Sequence, residues 1–489
     1  MKLSTSISVY ICFAIHFYIH RLAFIDFLCY RYSGLVVMTG SRFERSGERV
    51  LKALYRRVLL SSFGSGFVSP FISIYAAQLG ATPTELGFVQ AVNSVSPSIA
   101  QIPWGFVVDR VKRCTLFIAL GTLLYGFILL LLIFASDMLS FILVVLSAYV
   151  LLAMAAPASN YLLGEYSSGS DRGRVMARLN AMASIGSMPA TILSGYIIYR
   201  VGGSVGEMYR IPLILCFVFN LAAALAIFKV GEEPIRGFYS FSIRDWVKAL
   251  KSNRYFKRLC ILSTFQGFSM GLSWPLFTLT IVRVVRADMF QVSLLSVVSA
   301  STAIIVRRFT GRLADRAGRK PLIVLGRVGL FLIPLIYAIA RSIYELIVVN
   351  FVIGILTAAS DVALSAYLLD ISPRGMRGSY TSLYNAIAGS SSFIGSTVGG
   401  YLLDQLTGLG YGFHEAMTIM YTVSIIGRLA SGILYLTIEE PYKYPARFEE
   451  ELKRIFEEEL EAVEKRIVEY RRIEDEDLEW FEKLSGSKP

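Results

Sequence analysis

From Tyr55 to Leu436 the chain alternates between long apolar runs and short segments crowded with Arg, Lys, Asp and Gly. Several runs exceed 18 residues with few charges, the length a helix needs to cross the hydrocarbon core of a bilayer. The pattern predicts twelve helical spans near 56–78, 84–108, 115–135, 139–165, 174–199, 210–229, 257–282, 288–310, 321–340, 344–370, 377–404 and 413–437. Gly, Ser and Ala are frequent inside them, as in SSFGSGFVS and NAIAGSSSFIGSTVGG. Small residues let helix backbones approach in lipid, where the hydrophobic effect cannot drive helices together. The expected fold is therefore an all-α membrane protein.

Charge then orients the spans. Basic residues gather in alternate loops on the side of the N-terminus: Arg42 to Arg57, Arg110 to Arg113, Arg172 to Arg178, the segment 229–258, Arg307 to Lys320, and Arg374 and Arg377. The other side carries only Arg200, Arg210, Arg283, Arg286 and Arg341. Lys and Arg accumulate in cytoplasmic loops, so both termini and the central segment are predicted to be cytoplasmic, in a multi-pass protein of the cell membrane. Composition agrees: 55% of the 489 residues are hydrophobic, 17% are charged, and mean hydropathy is +0.57. A soluble chain has roughly 25% charged residues. The net charge of +12 combines two regions of opposite sign. Residues 439–489 hold 10 Lys and Arg against 17 Asp and Glu, while residues 1–438 hold 38 against 19. Topology accounts for the positive excess without a nucleic-acid partner.

The charged segments also repeat. GFVVDRVKR starts at Gly105 and GRLADRAGR at Gly311, an offset of 206. Tyr161 and Tyr367 share that offset; Asn180 and Asn385, and Gly195 and Gly400, lie 205 apart. A near-constant offset implies two six-helix halves. The predicted organisation is an N-terminal half over 38–229, a cytoplasmic linker over 230–255, a C-terminal half over 256–438 and a charged tail over 439–489. Residues 1–37 match a signal peptide poorly, and Met38 is the expected start.

The repeated turns resemble the signature of the major facilitator superfamily, G-x-x-x-D-R-x-G-R-[KR] in the loops between spans 2 and 3 and spans 8 and 9. The second copy matches throughout, with Gly311, Asp315, Arg316, Gly318, Arg319 and Lys320; the first keeps Gly105, Asp109, Arg110 and Arg113 but has Lys112 for the second glycine. Glycine in such a turn permits close helix approach and unusual backbone angles. The resemblance implies a transporter in which this cluster latches the cytoplasmic faces of the halves and releases as they rock. The alternative reading of the arginines is simple orientation by charge.

In transporters built this way the solute sits near the bilayer midplane, where ionisable residues are costly and mark function. Asp361 is the acid deep in a span, ten residues before Ile371, or about 15 Å at helical rise. Arg428 and Arg327 are basic residues at comparable depth. Asp361 is thus either a proton or substrate-cation site, or half of a structural pair with Arg428 or Arg327. Asn93, Asn160, Tyr161, Gln266, Trp274, Tyr367 and Asn385, with Gln90, are further candidates for the lining; Asn and Gln serve equally well to bond helices together. Five scattered cysteines give no disulfide framework or metal site, and no cofactor or enzyme motif is present.

The tail places Phe448, Leu452, Phe456, Leu460, Val463, Ile467 and Tyr470 on one helical stripe, suited to self-association or to docking through 447–484 onto the basic loops. The functional expectation is a secondary active transporter for a small organic solute, driven by a proton or solute gradient. A drug/proton antiporter and a non-transporting sensor or assembly protein with the same fold are the alternatives.

Overall fold

In a computed structural model of the chain, residues 42–111, 113–135, 137–166, 172–228, 250–373, 376–441, 450–455 and 457 are described. Two compact units are distinguished, Met1–Leu51 and Lys52–Pro489. The first is described only over 42–51, as the start of helix α1; everything below concerns the second. Residues 1–37, the linker and most of the tail stripe lie outside the described residues.

Among the described residues every regular element is helical. The first half comprises α1 (Arg42–Gly66), α2 (Ile72–Gln78), α3 (Pro83–Val111), α4 (Cys114–Leu130), α5 (Met138–Leu152), α6 (Ala155–Tyr166), α7 (Arg172–Val201) and α8 (Val205–Phe228). The second comprises α9 (Arg254–Gly271), α10 (Trp274–Leu279), α11 (Met289–Ala317), α12 (Lys320–Gly329), α13 (Leu332–Ile339), α14 (Ile343–Ile371), α15 (Arg377–Gly408) and α16 (Phe413–Leu434). Four expected spans are broken rods: α1–α2, α5–α6, α9–α10 and α12–α13. Pro70, Pro157, Pro275 and Pro334 stand in or just beyond the four breaks, because proline lacks the N–H that would bond the carbonyl four residues back. Pro70 and Pro275 keep the 205-residue offset, so the first rod of each half bends at an equivalent place.

Helix starts follow local chemistry. Asn253 Oδ1 accepts from Phe256 N, Asp137 Oδ2 from Ser140 N, and Asp288 with Gln291 forms a reciprocal capping box. Each satisfies donors that the first helical turn leaves free. Nine rods, among the described residues, are long and apolar enough to cross a membrane. Three expected spans fall short: α3, α9–α10 and α15. Their sequences carry the chain's densest small and polar content, including QAVNSVSPS, STFQGFS and AGSSSFIGSTVGG. These helices pack along other helices: α3 against α15, and α9 against α15 and α16.

Two apolar cores form. The larger joins both halves through Phe71, Tyr75, Leu86, Val89, Leu276, Leu279, Met289 and Leu403, on the side away from the charged turns. The smaller, among the described residues, is built from the second half and the start of the tail and lies on the side of those turns, here called the motif side; it holds Phe256, Leu259, Leu313, Tyr367, Tyr380 and Tyr435.

Candidate functional site

The turn after α11 owes its shape to one glycine. Gly318 has φ +98° and ends the helix, a conformation a side chain would strain. Gly311 and Gly105 are different: a Cβ on either would meet nothing within 4 Å. The close approach expected of these two glycines is therefore absent; both are ordinary helical positions here. Around the turn, Asp315 pairs with Arg319 at 2.9 Å, and Arg319 reaches Asp370 of α14 at 3.3 Å. The second contact lacks hydrogen-bond alignment and is charge against charge. Arg319 also donates to the Ala314 carbonyl. Asp315, at the end of this chain of charges, stays 73% exposed. Asp370 was missed in the sequence, although an acid follows the repeated YLL in both copies, as Glu165 and as Asp370. In the first half Arg110 and Arg113 are exposed; Lys112 and the Asp109 side chain lie outside the described residues.

The start of the tail docks on the same cluster. Glu439 pairs with Arg254 and Arg258, Glu440 Oε1 accepts from Lys320 N at 2.6 Å, and Glu451 meets Arg316 at 2.7 Å. Ile438 and Ile455 are buried in the motif-side core. The hydrogen bond from Arg254 is the main influence holding the Glu439 carboxyl below the usual range. Intramolecular docking of residues 438–440 and of Glu451 and Ile455 is thus part of the fold.

Tyr367 belongs to this core rather than to the lining: it is 1% exposed and its hydroxyl donates to the Glu439 carbonyl at 2.9 Å. Gln266 is likewise buried, with Oε1 accepting from Ser431 Oγ at 2.8 Å, so it bonds α9 to α16. Both leave the set of residues available to a solute. Asn160 and Asn385 are exposed, on α6 and α15; Asn93, Tyr161 and Trp274 are half-buried on α3, α6 and α10.

Asp361 is exposed on α14. Its neighbour Ser360 faces Gly326, where an added Cβ would lie 2.5 Å from the Ser360 Cβ, and this tight crossing sets Arg327 beside the acid. Arg327 is within electrostatic reach of Asp361, Tyr384 and Tyr435, but no ion pair joins it to the acid. The pair expected between Asp361 and Arg428 does not form. Arg428 is 1% exposed and donates to the carbonyls of Leu330 and Met270 and to Ser273 Oγ. Side-chain direction explains the difference: the two residues were placed at equal depth by counting, but they lie on different faces of the C-terminal half.

A cavity of about 190 Å³ opens between the halves. Ser65, Ser69, Ser187 and Thr191 border it from the first half, and Ser296 from the second. Nothing in the sequence distinguished these hydroxyls from the many other Ser and Thr of the spans. Across the same boundary, Gln90 donates to Thr278 Oγ1 at 3.3 Å, Ser396 Oγ to Gly87 O at 2.8 Å and Thr84 N to Asp404 at 2.8 Å.

Apolar rods of membrane-crossing length, with a small cavity bordered by both halves, define a polytopic helical membrane protein. The family model of the Major Facilitator Superfamily matches residues 58–258 and 259–474, and the chain belongs to this superfamily. It is 22% identical over 413 residues to an uncharacterized MFS-type transporter of Methanocaldococcus jannaschii, covering 80% of this chain and 99% of that one. It is 23% identical over 397 residues to the multidrug resistance protein MdtG of Salmonella typhimurium, covering 78% and 95%. The fold is similar to that of a bacterial homolog of the human lysosomal transporter Spinster, in an inward-facing and occupied conformation. The TM-score there is 0.63 at 14% identity, over 83% of this chain and all of the other.

Proposed function

We propose that the protein is a secondary active transporter that moves a small organic solute across the cytoplasmic membrane by alternating access. One observation carries this reading: the halves share a buried core away from the motif side, whereas among the described residues the motif-side core is built from the C-terminal half and the start of the tail. That asymmetry is what a rocking transporter has when it is closed outside and open inside. On this reading the motif side and both termini are cytoplasmic, and α3, α9–α10 and α15 complete twelve spans. The repeat supports halves over 38–229 and 256–438, with 230–255 as linker. Gly105, Asp109, Arg110, Arg113, Gly311, Asp315, Arg316, Gly318, Arg319 and Lys320 form the latch between the cytoplasmic faces of the halves.

Asp361 is proposed as the coupling site. An ionised carboxylate facing lipid would be very costly, so its exposure fits a water-filled passage. Arg327 lies nearby without forming a direct pair with it. Asn160 and Asn385 line the same passage, and the hydroxyl-bordered cavity of about 190 Å³ is proposed as the solute's seat. Likeness to MdtG favours drug/proton export as the second reading.

Uptake and efflux screens in proteoliposomes, with and without a pH gradient, test the proposal. Solute flux that responds to the gradient is expected; no flux for any solute class in either direction would remove it.

A further inference from the structure

Arg428 is a buried cation with no carboxylate partner. Its guanidinium donates from Nη1 to Leu330 O at 3.2 Å, and from Nη2 to Met270 O at 3.0 Å and to Ser273 Oγ. Its Cζ lies 5.5 Å from the centre of the Phe277 ring. Every acceptor sits at a helix break. Leu330 O is the carbonyl that Pro334 cannot bond, at the junction of α12 and α13; its backbone partner is Ile333 N at a long 3.4 Å. Met270 O and Ser273 flank the junction of α9 and α10. The side chain therefore satisfies the groups that two broken rods release, and it does so for both at once.

The setting is built for this. Helix α16 packs tightly on both partners beside Arg428: a Cβ on Gly427 would lie 2.8 Å from Ser269 Oγ, and one on Gly432 2.7 Å from Val328 Cα. Ser424 Oγ donates to Ser269 O at 3.0 Å. Beyond the break, α10 runs into the core shared with the first half, where Leu276 and Leu279 are fully buried and Thr278 accepts from Gln90. Burying a cation without an acid is expensive in lipid. If packing were the only need, a neutral residue would meet it at lower cost. A planar fork of five donors is what spans acceptors on two separate helices.

We propose that Arg428 is a positioning residue for transport: it staples the α9–α10 hinge to the α12–α13 break, so that α10 closes the far side of the passage as one body with α13 and α16. This rests on the alternating-access reading, and the test separates the two because it reads distances rather than flux. Spin labels are placed in the full chain, in proteoliposomes and on a background without native cysteines. One pair replaces the exposed Leu79 and Arg283, at the far ends of the two gate rods; the other replaces the exposed Val111 and Pro373 on the motif side.

With Arg428 present, the far-side pair gives a narrow distribution. Arg428→Met is expected to broaden and lengthen it while the motif-side pair keeps its mean, since the hinge loosens without the halves rocking. A role in packing alone would lower the melting temperature and leave both distributions as they were, which would overturn the proposal. Pro334→Ala returns an N–H to Leu330 O, so in that background Arg428→Met is expected to broaden the far-side pair less. Equal broadening in both backgrounds would also overturn it. Should Arg428→Met fail to fold, Ser273→Ala and Arg428→Lys each remove part of the staple. Both are expected to broaden the far-side distances in the same direction to a smaller degree, and no change in either would end the proposal.

Discussion

At the level of single residues, depth was legible in the sequence and direction was not. Counting along the spans placed Asp361 and Arg428 inside the membrane, and residue type marked Tyr367 and Gln266 as candidates for the lining. A residue's angular position around its helix then separated an exposed acid from a buried helix staple, a tail anchor and an interhelical bond. Asp361→Asn is expected to leave expression and folding intact and to abolish the dependence of transport on a pH gradient; unchanged dependence in a flux assay would remove Asp361 as the coupling site. Glu439 sets a different expectation. Its carboxyl is held below the ordinary range chiefly by Arg254. A depressed acid contributes stability above its unfolded pKa and loses it as pH falls through the folded value. Docking around Glu439 should therefore hold at neutral pH and weaken only in distinctly acid solution. Because Glu439 and Arg254 are both exposed to water, salt should weaken it as well. Hydrogen exchange of Ile438 and Ile455 measures this, and Glu439→Gln should bring the faster exchange to neutral pH.

Among the helices, the apolar runs located the rods, and the prolines account for the breaks near Pro70, Pro275 and Pro334. Pro157 marks the break at Ala153–Met154 in the same way: it is the third residue of α6, as Pro334 is of α13, and it cannot bond the Ala153 carbonyl. Small residues matter most where the halves meet. A Cβ on Gly87 would strike the Ser396 carbonyl, and one on Gly400 the Pro83 carbonyl, so α3 and α15 run backbone against backbone. Gly400→Val cannot be absorbed by a side-chain shift. Overpacking of this kind costs about 1–3 kcal/mol; a melting temperature lowered by several degrees, or a population driven to the outward-open form, is the expected result. Ser396→Ala removes the bond to Gly87 O and should cost less, about 0.5–1 kcal/mol. A melting curve for each, read beside the far-side label distances, checks both.

For the molecule as a whole, closure at one end follows from which surfaces are apolar. Phe71, Tyr75, Leu276 and Leu279 bury one another across the halves, whereas the facing ends on the motif side carry charge. Substitutions that fill the shared core differently should therefore bias the transporter toward its other conformation. Tyr75→Ala, which removes a ring stacked 4.1 Å from Tyr209, is expected to lengthen the Leu79–Arg283 label distance and shorten the Val111–Pro373 distance. Unchanged distances in both pairs would show that this core does not hold the closure.

The sequence by itself determined that the chain is helical and crosses a membrane, that it is a repeat with charged turns after the second helix of each half, and which family it joins. These follow from local quantities: run length, charge placement and spacing. Only the tertiary structure decided which buried groups meet. Asp315 reaches Asp370 through Arg319, Glu451 seats on Arg316, and Arg428 binds the carbonyls of Met270 and Leu330 rather than Asp361. Those partners are tens to hundreds of residues apart, and a few degrees of helix rotation select among them.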